Sequence, residues 1–277
     1  MKYKVITPEY EIDKDYKQDE KMSEKDKLVK KMKSISENWY ILLKNVLENG
    51  EKHTKDDGDK LIEYMGNHCM ISNPLKKYEP MQISSKMFLD LIRNGEFDVE
   101  GYPLKGSALA DYVEQFDNNK YIYLEEDANG DKPFIYTYSE RMKNIQLCTR
   151  GGHNDYFNQY EIIKRRLIEH MGSNRAVATL YSAGLDETEQ HIPCLNWIQA
   201  TIRNNKLLLH VMFRSNDCYG AWVSNMYFIS FIGIRLVEDL KSVYPSLTFE
   251  GINYNSTSLH VYEYDLSQAE KVVNGVF

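Results

Sequence analysis

Apolar positions recur at helical spacing from Ile35 onward. Trp39, Leu42, Leu43, Val46 and Leu47 fall on one face, and Gly50 follows as a stop signal, so the spacing predicts a helix. The next ten residues, Glu51-Lys-His-Thr-Lys-Asp-Asp-Gly-Asp-Lys60, read as a polar loop turning at Gly58. Leu61–Ile71 has strand character and runs into the breaker Asn73-Pro74. Helical stretches are expected within 81–116, around Phe88, Leu89, Leu91 and Ile92 and then around Leu109, Tyr112, Val113 and Phe116. Another helix is expected at about 154–171, with Tyr156, Tyr160, Ile163, Leu167 and Ile168 on one face. The last third changes character. Strand-like runs at Ala176–Tyr181, Leu195–Ile202 and Leu207–Met212 precede a long apolar helix from Trp222 to Leu240 and a short strand around His260–Tyr264. Interleaved elements without a repeat predict a single α/β or α+β domain over 35–277. A charged N-terminal extension, 1–34, precedes it; within it residues 11–33 read as a solvated helix or frayed arm.

The length of 277 residues suffices for a sizeable core. Lys and Arg number 34 against 41 Asp and Glu, a net charge of −7, which argues against a nucleic-acid binder but leaves room for one small anion in a local basic pocket. Mean hydropathy is −0.55. No apolar run approaches the ~18 residues of a membrane span, and the first residues lack a signal-peptide core, so no membrane association and a cytoplasmic location are expected. Cys69, Cys148, Cys194 and Cys218 form no C-x-x-C pair, which fits a reducing compartment and argues against a disulfide framework or a zinc site. No Gly-rich nucleotide fingerprint occurs. Asp127–Pro133 has the composition of a calcium loop but lacks its closing Glu; His68-Cys69 lacks a second pair, and His153 reads as a loop residue. No metal is expected.

The chemistry concentrates between Ser173 and Tyr262: Ser173-Asn174-Arg175, Ile192-Pro193-Cys194-Leu195, Arg214-Ser215-Asn216-Asp217, Asn225 and His260-x-Tyr262. Taken singly, each has an ordinary reading, and a lone Cys is usually a small buried hydrophobe. Together they form a pattern: Pro-Cys, Arg-Ser-x-Asp beginning 20 residues after Cys194, Asn 11 residues after Arg214, then His-x-Tyr. This set resembles the thymidylate synthase family. Arg175, 19 residues before Cys194, falls where that family keeps a phosphate-binding arginine. More weakly, Val46-Leu-Glu-Asn-Gly50 with the following polar loop resembles the opening helix and phosphate loop, and Tyr136-Thr-Tyr138-Ser-Glu-Arg-Met resembles another family segment. The phrase Asp217-Cys-Tyr-Gly-Ala-Trp-Val-Ser-Asn225 looks most like the smaller branch in methanogenic archaea. The deoxycytidylate hydroxymethylases are a sister family on the same framework.

The resemblance implies a thymidylate-synthase-like fold, a mixed β-sheet packed with helices whose sheet face forms a homodimer interface. It implies conversion of dUMP to dTMP. Cys194 adds as thiolate to C6 of the pyrimidine, and C5 then attacks a one-carbon unit carried by 5,10-methylene-tetrahydrofolate or methylene-tetrahydromethanopterin. A guanidinium beside the thiol favours the thiolate. By resemblance the catalytic set is Cys194, Arg214, Asp217 and Tyr138. Arg214, Ser215 and, across the dimer, Arg175 hold the nucleotide phosphate, for which the planar guanidinium fork is suited. His260 and Tyr262, on one strand face at i and i+2, hold the sugar. Asn225 pairs with the O4 and N3 edge of uracil, where the hydroxymethylases carry Asp. Asp217 meets the reduced pterin, and the aromatic faces of Tyr219 and Trp222 are expected to stack on it.

Departures are equally legible. Lys55-Asp56-Asp57 stands where the family has a loop arginine, and Lys55 or Lys60 would have to compensate. Asn174 replaces one arginine of a pair, Leu195 the histidine after the cysteine, and Phe213 the glutamine before Arg214. No clear counterpart of the activating glutamate appears; Glu79 and Asp90 are the nearby acids. Only 15 residues follow Tyr262, too few for the long closing segment, which makes capture of water conceivable. Two alternatives therefore accompany the methyltransferase reading: a 5-hydroxymethylase acting on dUMP, dCMP or CMP, and a catalytically silent nucleotide-binding paralogue.

Overall fold

The computed structural model describes residues 34–72, 74, 83–118, 136–148, 154–189 and 191–276. The charged stretch 11–33, Glu79, the Asp127–Pro133 turn and His153 lie outside the described residues.

The chain is mixed α/β. Helix α1 (Ile35–Asn49) begins at a capping box, Ser34 accepting from the Glu37 amide while the Glu37 carboxylate accepts from the Ser34 amide. It leads into β1 (Glu51–Thr54) and β2 (Lys60–Ile71). Helices α2 (Ser85–Arg93) and α3 (Gly106–Asn118) follow, then α4 (Tyr138–Lys143) and a small antiparallel pair, β3 (Ile145–Cys148) with β4 (Asn154–Phe157). Next come α5 (Gln159–Glu169), β5 (Val177–Thr179) and the single turn α6 (Ala183–Asp186). The final part comprises β6 (Leu195–Arg203), β7 (Lys206–Asp217), α7 (Trp222–Leu240), β8 (Thr248–Tyr262), a 3-10 turn and α8 (Leu266–Val273).

Six strands form one sheet in the order β1-β2-β8-β7-β6-β5. All neighbours are antiparallel except β7 and β8, which are parallel and need a long crossover; α7 supplies it. That helix is apolar nearly all round, and only Arg235, Glu238 and Asp239 escape burial between Trp222 and Leu240. It packs on β7 and β8 on one side and against α1, α2, α3 and α5 on the other, so it is the centre of the core. The opposite sheet face carries Trp197, Gln199, Thr201, His210, Met212 and Asn253, all partly exposed. Among the described residues no helix is long and apolar enough to cross a membrane.

Four sequence expectations change. Residues 154–171 are not one helix: Asn158 caps α5 by accepting from the Glu161 amide at 3.0 Å, and the residues before it pair as β4. Tyr156 is accordingly exposed at 64%. The polar loop is a hairpin, β1 and the start of β2 pairing around Lys55–Asp59. The strand at Leu207–Met212 runs on to Asp217. The short strand at His260–Tyr264 is the end of the 15-residue β8, whose Asn, Ser and Thr residues mask its strand character.

Gly251 sits where the β7–β8 register shifts, at φ 142°. A Cβ there would lie 1.9 Å from the Ile71 carbonyl oxygen, so the close approach of β2 requires glycine. Gly184, in α6, has nothing within 4 Å of such a Cβ. Gly251→Ala should cost at least about 3 kcal/mol, or about 6–12 °C in Tm. Gly184→Ala should be neutral or gain up to about 1 kcal/mol. Thermal unfolding of both variants checks this contrast; equal effects would contradict it.

Candidate active site

Strands β7 and β8 end side by side, Asp217 opposite His260. In open α/β sheets ligands gather beyond the carboxyl ends of such strands. The antiparallel β6 begins at the same edge. Its hairpin with β7 closes through Asn204 and Asn205, at φ 51° and 58°, the left-handed conformation that asparagine tolerates. An unbroken ladder from that turn would set Cys194 opposite Ser215. A one-residue shift between Leu195 and Trp197 brings Arg214 there instead, and the Arg214 amide donates to the Cys194 carbonyl at 2.8 Å.

The Arg214 side chain turns back along this edge. Its Nε donates to the Pro193 carbonyl at 3.1 Å and its Nη2 to the Ile192 carbonyl at 2.9 Å, leaving Nη2 3.7 Å from the Cys194 Sγ. Burial pushes the Cys194 thiol up; the charges of Arg214 and then Lys55 pull it down, while Asp217 adds to the rise. The net direction is upward, so the thiol is held protonated and needs a further change in its surroundings to ionise.

Helix α4 walls this pocket. The buried Arg141 guanidinium pairs with Asp186 at 2.5 and 3.3 Å, fixing α4 to α6. Tyr136 donates to the Ile192 carbonyl at 3.1 Å, and the Tyr138 hydroxyl accepts from the Leu195 amide at 3.3 Å. Burial raises both phenols, so they stay protonated.

His260 is buried, its Nδ1 3.3 Å from the Ser215 hydroxyl, and its Nε2 has no hydrogen-bond partner among the described residues. Burial, then the Lys55 charge, push it down to about 4, so the imidazole is neutral. An unpartnered buried nitrogen is costly and marks a place for a ligand group. Tyr262 meets the His260 ring edge-on at 4.9 Å. Lys55, at the hairpin tip, reaches the Tyr262 hydroxyl at 3.4 Å and Asp57 at 2.5 Å. Burial opposes its charge, but the bonds to Asp57 and Tyr262 hold the ammonium above its usual range. Lys60 instead pairs with exposed Glu263 at 3.9 Å.

Asp217 caps the turn before α7, accepting from the Tyr219 and Gly220 amides at 3.0 Å each. Burial nevertheless pushes its carboxyl up to about 6. Asn225 is buried in the first turns of α7, its Oδ1 accepting from Tyr112 at 2.7 Å and its Nδ2 donating to the Asn216 side chain at 3.1 Å. The fold thus links Cys194, Arg214, Ser215, Asp217, His260 and Tyr262 at one sheet edge, with Tyr138 and Asn225 beside them. Arg175 stands apart: it is exposed just before β5. The expectation for Trp222 is corrected. Its ring is fully buried, meeting Tyr254 edge-on at 5.7 Å, because α7 is enclosed on all sides, so it offers no face to a pterin. Tyr219 is also largely buried, its hydroxyl 3.3 Å from the Gly101 carbonyl. Among the described residues no group of three His, Cys, Asp or Glu side chains is arranged for a metal ion.

No family model matches the chain. Curated relatives do. A protein of Methanothermobacter thermautotrophicus named "Putative thymidylate synthase" is 26% identical over 242 residues, 86% of this chain and 95% of its own length. Proteins of the same name from Methanosarcina mazei (27% over 244 residues, 88% and 94%) and Methanocaldococcus jannaschii (25% over 237 residues, 84% and 89%) are similarly placed. The chain is thus similar, at 24–28% identity over most of its length, to several archaeal proteins named putative thymidylate synthase. The similarity spans most of the chain rather than one motif. Sequence reading missed Tyr112, Asn216 and Tyr254 around Asn225, because their meeting is set by contacts between residues far apart in the chain.

In the unfolded chain Asp217 titrates near 3.8, in the folded one near 6. The folded state therefore binds more protons between these values, and the group's stability contribution falls as pH rises through that window. Asp217→Asn keeps an acceptor for the two amides and removes the buried charge. It should stabilise the fold at pH 8 by on the order of 1–3 kcal/mol, and far less at pH 4. Denaturant midpoints at both pH values test this; no gain at pH 8 would show that the carboxylate is not penalised.

Proposed function

We propose that the chain is a homodimeric transferase that methylates dUMP at C5, using a methylene-tetrahydropterin of folate or methanopterin type as donor of carbon and hydride. The observation that carries this reading is the Arg214 guanidinium 3.7 Å from the Cys194 sulfur, at the edge where the two parallel strands end.

Cys194 adds as thiolate to C6, and its proton leaves to solvent. Arg214 stabilises the thiolate, and its exposed guanidinium receives the nucleotide phosphate with Ser215. The addition makes C5 an enolate carbon, which takes the methylene unit from the carrier. C5 then loses its proton, the carrier amine departs, hydride from the carrier completes the methyl group, and Cys194 is expelled. The unpartnered Nε2 of neutral His260 and the hydroxyl of Tyr262 take the sugar. Lys55 stands in for the loop arginine, since it faces Tyr262 and contributes to the charge at Cys194 whereas Lys60 pairs outward. Asn225 reads the pyrimidine, and Asp217 and Tyr219 face the pterin. Arg175, exposed and away from its own Cys194, serves the partner's site across the open sheet face.

With 5-fluoro-dUMP and a methylene carrier, intact-mass analysis should find one covalent adduct on the wild type and none on Cys194→Ser. Cys69 and Cys218, whose thiols burial holds above the usual range with no cation beside them, should stay unmodified. An adduct on Cys194→Ser would overturn the assignment. Mixing Cys194→Ser with Arg175→Ala subunits should restore activity that neither has alone, through the hybrid site in which both residues are intact. Failure of every mixture would remove Arg175 from the partner's site.

A further inference from the structure

A guanidinium is a planar fork of five N–H groups, so what it does to a neighbour depends on how its plane is held. Arg214 is held by backbone rather than by a carboxylate. Its Nε donates to the Pro193 carbonyl at 3.1 Å and its Nη2 to the Ile192 carbonyl at 2.9 Å, which leaves Nη2 3.7 Å from the Cys194 Sγ. Both acceptors lie in the irregular segment just before β6. Among the described residues neither carbonyl takes a backbone hydrogen bond that would fix its direction. The place of the guanidinium at the sulfur is therefore only as definite as whatever else aims those two carbonyls.

The Ile192 carbonyl has a second donor. The Tyr136 hydroxyl donates to it at 3.1 Å. A carbonyl oxygen has two lone pairs, so the phenol and the guanidinium occupy it together. Burial keeps the phenol protonated, so it remains a donor. Tyr136 is itself well fixed. The next residue, Thr137, caps α4 by accepting from the Glu140 amide at 3.1 Å, so the tyrosine leaves the helix at a set point. Its ring is buried, and the Arg141 guanidinium stands 5.4 Å from the ring centre. Two bonds, at 2.5 and 3.3 Å, fasten Arg141 to the Asp186 carboxylate, which also accepts from the Ser182 amide at 2.8 Å. A line of fixed contacts thus runs from Asp186 through Arg141, Tyr136 and the Ile192 carbonyl to Arg214.

We propose that Tyr136 is a positioning residue for the nucleophile: its hydroxyl fixes the Ile192 carbonyl, that carbonyl holds the Arg214 guanidinium against Cys194, and the Arg141–Asp186 pair keeps Tyr136 in place. The inference rests on the reading that Cys194 attacks as thiolate beside Arg214. It adds that the arginine is aimed from the α4 side as well as by its own strand. Tyr136 acts through Arg214 and takes no part in the bond-making steps.

The test is the rate at which iodoacetamide alkylates Cys194 in the whole protein at pH 8, followed by peptide mass. Only the thiolate reacts, and burial holds this thiol protonated, so the rate follows the thiolate fraction. Tyr136→Phe keeps the ring beside Arg141 and removes only the donor. It should slow alkylation at least about threefold and move the pH–rate profile to higher pH, whereas Arg214→Met should slow it about tenfold. In the Arg214→Met background Tyr136→Phe should change the rate by less than about twofold, because its effect passes through the missing arginine. Turnover of dUMP with a methylene carrier should fall alongside alkylation in Tyr136→Phe. The direction separates aiming from packing, since a loop that is merely loosened exposes the sulfur and speeds alkylation. Arg141→Met combined with Asp186→Leu leaves no lone buried charge and should also slow alkylation, which keeps the result readable if Tyr136→Phe misfolds. Unchanged or faster alkylation of the folded variants overturns the positioning role and leaves the proposed reaction standing. Equal slowing by Tyr136→Phe with and without Arg214 overturns it as well. If Arg214→Met alkylates as fast as wild type, the inference falls together with the reading of Arg214 as the partner of the thiol.

Discussion

The Arg214 amide donating to the Cys194 carbonyl is the rung on which the site depends. Strand pairing has a period of two, so one residue of register decides which side chain stands beside the thiol. The hairpin turn at Asn204–Asn205 and the shift at Asn196 together select Arg214 rather than its neighbour. From that rung the rest follows through β7. Asn216 points inward to the core side and Asp217 ends the strand beside His260, in parallel register with β8. The strand β8 in turn carries Tyr262 to the hairpin tip that holds Lys55. The 20-residue spacing between Cys194 and Arg214 is thus the length of a hairpin, read along the chain.

Burial moves the titration of the groups at this edge away from their values in water. Burial keeps the Cys194 thiol protonated, the His260 imidazole neutral with one nitrogen unmatched, and the Asp217 carboxyl reluctant to ionise. Each is a cost that the enclosed α7 and the apolar face of the sheet sustain. Their common cause is desolvation, and it is relieved by a ligand that brings hydrogen-bonding and charged groups into the same space. The free protein is in this sense a poised site: Arg214 is near the sulfur but does not by itself bring it into the ionised form.

Much of this was legible in the chain because local pattern and tertiary role agree. The Trp222–Leu240 run is continuous and apolar, and its helix begins and ends where the pattern does. The chemistry-bearing residues were legible from their spacing, which antiparallel and parallel registers translate into proximity. What failed did so for definable reasons. The β8 strand is rich in Asn and Ser, whose side chains the sheet uses for bonds between strands and within the core, so polarity there did not mean a loop. Asn158 separates a strand from a helix that share an apolar spacing by chance. Trp222 adjoins the site in sequence but faces the core, since residues at a helix start point in all directions. The chain of hydrogen bonds from Tyr112 to Tyr254 joins three separate elements with α7, and no one-dimensional pattern announces it.

The central claim is that Cys194 activates C5 of dUMP for transfer of a complete methyl group. The most direct measurement is the mass of the nucleotide formed from dUMP and a methylene-tetrahydropterin by the purified protein. The account predicts a product heavier than dUMP by one CH2. A product heavier by CH2O would mean that water rather than hydride completes the reaction, and unchanged dUMP would mean that the site does not perform this chemistry; either result contradicts the account.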